Sequence, residues 1–163
     1  MRSLARALLA LALVSAGCGD DDEPRAAGTT TTLEDVECAS TEPTDVVATH
    51  GDLTFAVVDT GASVDVLAVY VEADCGLAPL QLDREEARLA IGGSVTHAEG
   101  IACLDDGGLA VLSATSDDGE TYDATRVTYE LVGVSLVEVD RETATIDATS
   151  DAAALDPYYR LDC

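Results

Sequence analysis

The sequence contains no lysine. All eight basic residues are arginine, set against 32 Asp and Glu, for a formal charge of −24 at pH 7. Removing the two positive charges of Arg2 and Arg6 with the amino-terminal leader takes −24 to −26. Such a surface is repelled by nucleic acid and by anionic lipid, which excludes nucleic acid as a partner. It favours solubility and tolerance of salt and specifies no fold. Also missing are a CxxC pair and any cluster of Cys with His, since His50 and His97 stand alone. That argues against a structural zinc site. No apolar run reaches the roughly 20 residues a membrane-spanning helix needs. Long helical periodicity is scarce as well.

What is present begins with Met1-Arg2-Ser3-Leu4-Ala5-Arg6 and an apolar run over residues 7–14. These are the charged and hydrophobic regions of a secretory signal peptide. The next residues, Val14-Ser15-Ala16-Gly17-Cys18, resemble a bacterial lipobox. There, small residues lead to a cysteine that is lipidated while the chain is cut just before it. Ser15 stands where such boxes prefer Leu. The alternative is ordinary leader cleavage nearby, with Cys18 as a spare thiol. Residues 19–32, GDDDEPRAAGTTTT, cannot bury enough apolar surface to repay ordering. The expected organisation is a signal peptide over 1–17, a lipid-anchored tether over 18–42 and a folded domain over 43–163. The expected location is extracytoplasmic, exported and held on the cell membrane through lipid on Cys18.

Apart from Cys18, four cysteines remain: Cys38, Cys75, Cys103 and Cys163. An even number in an oxidising compartment points to two disulfides, with three possible pairings. The favoured pairing joins Cys75 to Cys103, tying the chain after residue 59 to the next hairpin. Cys38 and Cys163 would then join the two ends of the domain.

The domain is rich in Val, Thr and turn residues, which predicts a mostly β fold with at most one or two short helices. Leu53, Phe55 and Val57 alternate with Thr54 and Ala56, as in a strand with one apolar face. Asp59-Thr60-Gly61 is expected to break it. Residues 64–73 fit a buried strand or a buried helix equally, and 83–90 fit a helical turn or a strand edge. Turns are expected at 105–108 and 117–120. Asp140-Arg141-Glu142 is expected to close a hairpin, and Tyr158 to Cys163 to form a last edge strand. The spacing of Asp105-Asp106 and Asp117-Asp118 matches no calcium loop, so both read as solvated turns.

The one informative motif is Phe55-Ala56-Val57-Val58-Asp59-Thr60-Gly61-Ala62-Ser63. Apolar residues run straight into a carboxylate. A catalytic carboxylate needs a rigid seat at the end of a buried strand. Thr60 can lock the loop through its hydroxyl, and Gly61 permits close backbone approach. A small residue, Ala62, keeps room behind the carboxylate. The bland alternative is a turn Asp that hydrogen-bonds its own loop.

This stretch resembles the active-site loop of retropepsin-like aspartic peptidases. Upstream, residues 46–55 resemble the first hairpin of bacterial members. Downstream, Gly76-Leu77 resembles their Leu-Gly-Leu helix end, and Leu131-Val132-Gly133 their paired-hydrophobic-Gly segment. Asp65, Cys75 and the short segment after Gly133 depart from the family pattern. The resemblance implies a small closed β-barrel-like acid-protease protomer and an endopeptidase acting on a peptide or protein substrate. With one Asp-Thr-Gly per chain it implies a homodimer, in which two facing Asp59 carboxylates share a proton. Thr60, Gly61, Ala62 and Ser63 would support that loop, and no metal or organic cofactor is implied. A flap over the substrate would come from residues 91–100, with Gly92 and Gly93 as its hinges. A plain surface loop is the equal alternative there. The rival function is a non-catalytic envelope lipoprotein, a binding or structural β-domain stapled by disulfides.

Overall fold

A computed structural model describes residues 38–39 and 42–163. The leader, Cys18 and most of the tether lie outside the described residues. The described residues form twelve strands: β1 (Val46–His50), β2 (Leu53–Thr60), β3 (Val64–Ala73), β4 (Gly76–Pro79), β5 (Gln81–Leu82), β6 (Glu85–Glu86), β7 (Arg88–Ser94), β8 (His97–Cys103), β9 (Leu109–Thr115), β10 (Thr121–Val132), β11 (Ser135–Asp147) and β12 (Leu161–Asp162). A 3-10 helix, Ala152–Tyr159, precedes β12. The mostly β expectation holds.

The strands make one sheet in the order β1-β2-β3-β7-β8-β9-β10-β11-β5-β6, with β4 on β3 and β12 on β8. Apart from the parallel β11–β5 and β12–β8 pairs, every pairing is antiparallel. Most of the sheet is therefore a meander of neighbouring hairpins. The order runs from β1 to β6 without returning to β1, so it gives a single sheet rather than a closed ring. The segment 76–82 ties early strands to late ones, because β4 pairs with β3 and β5 with β11.

Sequence alternation sets the faces. Leu53 and Phe55 of β2, Leu67, Val69 and Val71 of β3, Leu89 of β7, Ile101 of β8 and Leu109 of β9 meet in the main buried core. Residues 64–73, ambiguous between helix and strand, are a strand because both of its faces are covered in part. Leu67, Val69 and Val71 are buried on the core side and Ala68 on the other. Residues 83–90 resolve into a tight hairpin turn and the start of β7. Asp83 and Arg84 both have positive φ, 54° and 71°, the geometry of a two-residue hairpin turn whose twist suits the flanking strands.

A second, smaller core lies on the opposite face of β8, β9 and β10. Ala98, Ala114 and Ala124 form a shallow seat there for Leu155 of the 3-10 helix, flanked by Tyr158 and Tyr159. Gly100 completes the seat, since a Cβ at this position would collide with the Pro157 carbonyl oxygen and the Tyr158 backbone. Small residues on one strand face thus let a helix lie directly on the sheet. Ala152 to Ala154 form the first turn of this helix.

Three expectations need correction. The disulfides join Cys38 to Cys75 and Cys103 to Cys163, so Cys75–Cys103 and Cys38–Cys163 are not formed. Strand register explains both bonds. The Ala39 amide donates to the Leu77 carbonyl, which brings Cys38 alongside the β3–β4 turn. Leu161 and Asp162 pair with Ile101 and Ala102, so the next residues in register are Cys163 and Cys103. The folded domain also reaches back to Cys38, inside the segment expected as tether. Finally, Asp140-Arg141-Glu142 closes no hairpin. The turn falls at Gly133, with φ 62°, and residues 135–147 run as one strand.

Candidate functional site

Asp59 and Thr60 are the last two residues of β2, not members of a loop. A β-bulge at Val58 interrupts the pairing between Val57 and Asp59. It leaves Asp59 opposite Val66, and Thr60 opposite Asp65. Successive cross-strand pairs face opposite sides of a sheet, so Asp59 and Asp65 point apart and form no dyad within the chain. Asp59 is exposed. No hydrogen bond or ion pair joins its side chain to the other described residues.

Gly61, Ala62 and Ser63 make the turn between β2 and β3, closed by the Gly61 amide donating to the Val64 carbonyl at 2.7 Å. This turn abuts the residues expected as a flap. The Gly93 amide donates to the Ser63 carbonyl at 2.7 Å, and Gly92 pairs with Val64 on one side and Glu99 on the other. A Cβ on Gly92 would collide with the Ser63 carbonyl, and one on Gly93 with that of His97. These glycines serve close backbone packing at φ 105° and 150°. Gly92 and Gly93, expected as flap hinges, lie beside residues 61–63. Both lie within β7, held by its neighbours. A shallow, open depression of about 260 Å³ lies elsewhere, at the β9–β10 turn, and another of about 230 Å³ lies where Gly61–Asp65, Ile91, Gly92 and Tyr159 meet.

The tip of the β7–β8 hairpin is fixed by two tyrosines. The Tyr122 hydroxyl donates to the Val95 carbonyl, and the Tyr159 hydroxyl to the Ser94 carbonyl at 2.9 Å. Burial pushes the Tyr159 phenol above its ordinary range, which keeps it a neutral donor. No periodic signal could have found these bonds, since their partners lie 27 and 65 residues away.

The acidic turns are explained by their own backbones. The Asp118 carboxylate accepts from the Glu120 and Thr121 amides at 2.8 and 3.0 Å and from the Ser116 hydroxyl at 3.0 Å. Those bonds, the Thr121 amide foremost, hold its pKa below the ordinary value. Asp106 accepts from the Gly108 amide at 3.1 Å. Among the described residues no group of three or more His, Cys, Asp or Glu is placed to hold a metal ion. Gly133, taken as part of a peptidase-like segment, lies in the turn between β10 and β11, and strand rather than helix follows it. No protein-family model, curated protein or solved structure matches the chain.

Proposed function

We propose that the protein is a non-catalytic lipoprotein of the cell envelope, anchored through Cys18 and presenting an acidic, disulfide-stapled β-domain for binding or for a structural role. The observation that carries this reading is the direct hydrogen bond from Gly93 to Ser63. That bond holds β7 against the turn that follows Asp59 and leaves only a shallow depression beside it, of about 230 Å³, where a flap would have to open for a substrate to enter. Two disulfides suit an oxidising compartment, and the leader and lipobox-like residues suit export and lipid attachment. The test is hydrolysis. A peptide library incubated at acid pH with the full chain and with Asp59→Asn should be cut by neither.

A second reading has one observation in its favour. Asp59 is exposed at the end of β2, so a second copy could bring its own Asp59 opposite and complete an aspartic peptidase of the homodimeric kind. Pepstatin-sensitive cleavage, lost in Asp59→Asn while the fold persists, would establish that reading over the first.

A further inference from the structure

The longest uncovered element of the fold is β11. Among the described residues its outer edge is paired only at Ser135 and Leu136, with β5. From Val137 to Thr145 every residue is exposed, on both faces of the strand. A β-bulge at Val139 interrupts the ladder; beyond it, alternate residues of the edge direct free backbone amide and carbonyl groups outward, a template for one more strand. Val137 and Val139 remain 44% and 48% accessible beside it. The strand at the far end of the order, β1, has only five residues, and His50 at its end is tied to the Leu104 carbonyl at 3.1 Å.

Charge decides what can add to this edge. Glu138, Asp140, Arg141 and Glu142 occupy its middle. Arg141 is already held by Glu138 at 2.7 Å, and Glu142 lies opposite Arg126 of β10, so the two cations near the edge offset only part of the charge of Glu138, Asp140 and Glu142. In a two-fold pairing of two β11 strands, a register centred on Arg141 sets Asp140 against Glu142. One centred on Asp140 or Glu142 sets that residue against itself. Each central register opposes like charges, which destabilises cross-strand pairs, and each copy also brings a strongly negative surface. The edge therefore rejects its own copy and favours a strand of opposite sign.

We infer that residues 140–147 of β11, beyond the bulge at Val139, form a docking edge for an extended cationic peptide segment, which adds as a further strand with its Lys or Arg side chains beside Asp140 and Glu142. Main-chain hydrogen bonds would supply affinity and the alternate basic residues specificity. This deepens the binding role proposed above and rests on it.

The test uses the full chain and a ten-residue synthetic peptide alternating Lys and Thr. Wild type should bind it, with slowed amide exchange in β11. Asp140→Lys/Glu142→Lys, both at exposed positions, should weaken binding about tenfold while leaving the circular dichroism unchanged. The same peptide N-methylated at alternate amides should not bind. Equal binding of the methylated peptide, protection away from β11, or no binding by wild type would overturn the docking edge. Cleavage of the peptide that Asp59→Asn abolishes would instead overturn the non-catalytic reading.

Discussion

Replacing Cys103 and Cys163 together by Ala cuts the bond that holds the carboxy-terminal arm to β8. That disulfide closes 60 residues, and the loop-closure entropy it removes from the unfolded chain is worth about 4 kcal/mol. Cys38–Cys75 closes 37 residues. Because the dependence on length is logarithmic, its expected contribution is smaller by only a few tenths of a kcal/mol. For a domain near this size a loss of that order lowers Tm by roughly 10–20 °C. The loss also has a local signature. β12 pairs only two residues with β8, and the Ile101 amide donates to the Arg160 carbonyl at 2.9 Å. With the bond gone, opening of the arm should speed amide exchange at Ile101 before the main core opens. Thermal melts followed by circular dichroism, with hydrogen-exchange mass spectrometry of the oxidised full chain and the double variant, measure both effects. A Tm within about 2 °C of wild type would refute the reasoning, since the arm would then be held by the packing of Leu155 and its neighbours alone. Peptide mapping that found Cys75 bonded to Cys103 would refute the register from which the bonds follow.

Gly100→Ala should destabilise by about 1–3 kcal/mol, because the added methyl must push the 3-10 helix off its seat; chemical denaturation reads the loss, and an unchanged midpoint would contradict the close approach. Asp118→Ala should lower Tm at neutral pH through loss of the turn's amide and hydroxyl bonds. The folded pKa of Asp118 is depressed, so its stabilisation is full above the ordinary value of 3.8 and disappears as pH falls through the lower folded value. The two proteins' melting temperatures should therefore converge in strong acid. Cys18→Ser should move the protein from membranes to medium, read by fractionation, because the polar segment after it has no other affinity for lipid.

The β character of the domain was legible because alternation and turn residues survive local inspection. Leu53, Phe55 and Val57 read as a one-faced strand, and the acidic turns at 105–108 and 117–120 fall where they should. What escaped was information held in non-local register. The disulfides follow from Leu161 aligning with Ile101 and from Ala39 meeting Leu77, neither of which has a sequence signal. Asp140-Arg141-Glu142 resembled a turn because an edge strand exposed on both faces carries no apolar alternation, and charges there guard against unwanted pairing. At the candidate site, the sequence brought residues 59–63 and 92–93 to attention, and the fold sets residues 61–63 beside Gly92 and Gly93. Their glycines proved to serve backbone contact, a role that composition does not distinguish from mobility.

The proposed lack of catalysis at Asp59 is tested most directly by mass-spectrometric analysis of a peptide library after incubation with the full chain at acid pH and high protein concentration. Wild type, Asp59→Asn and pepstatin-treated wild type should give the same uncut peptides. Products made by wild type alone, and absent from the other two, would contradict the account.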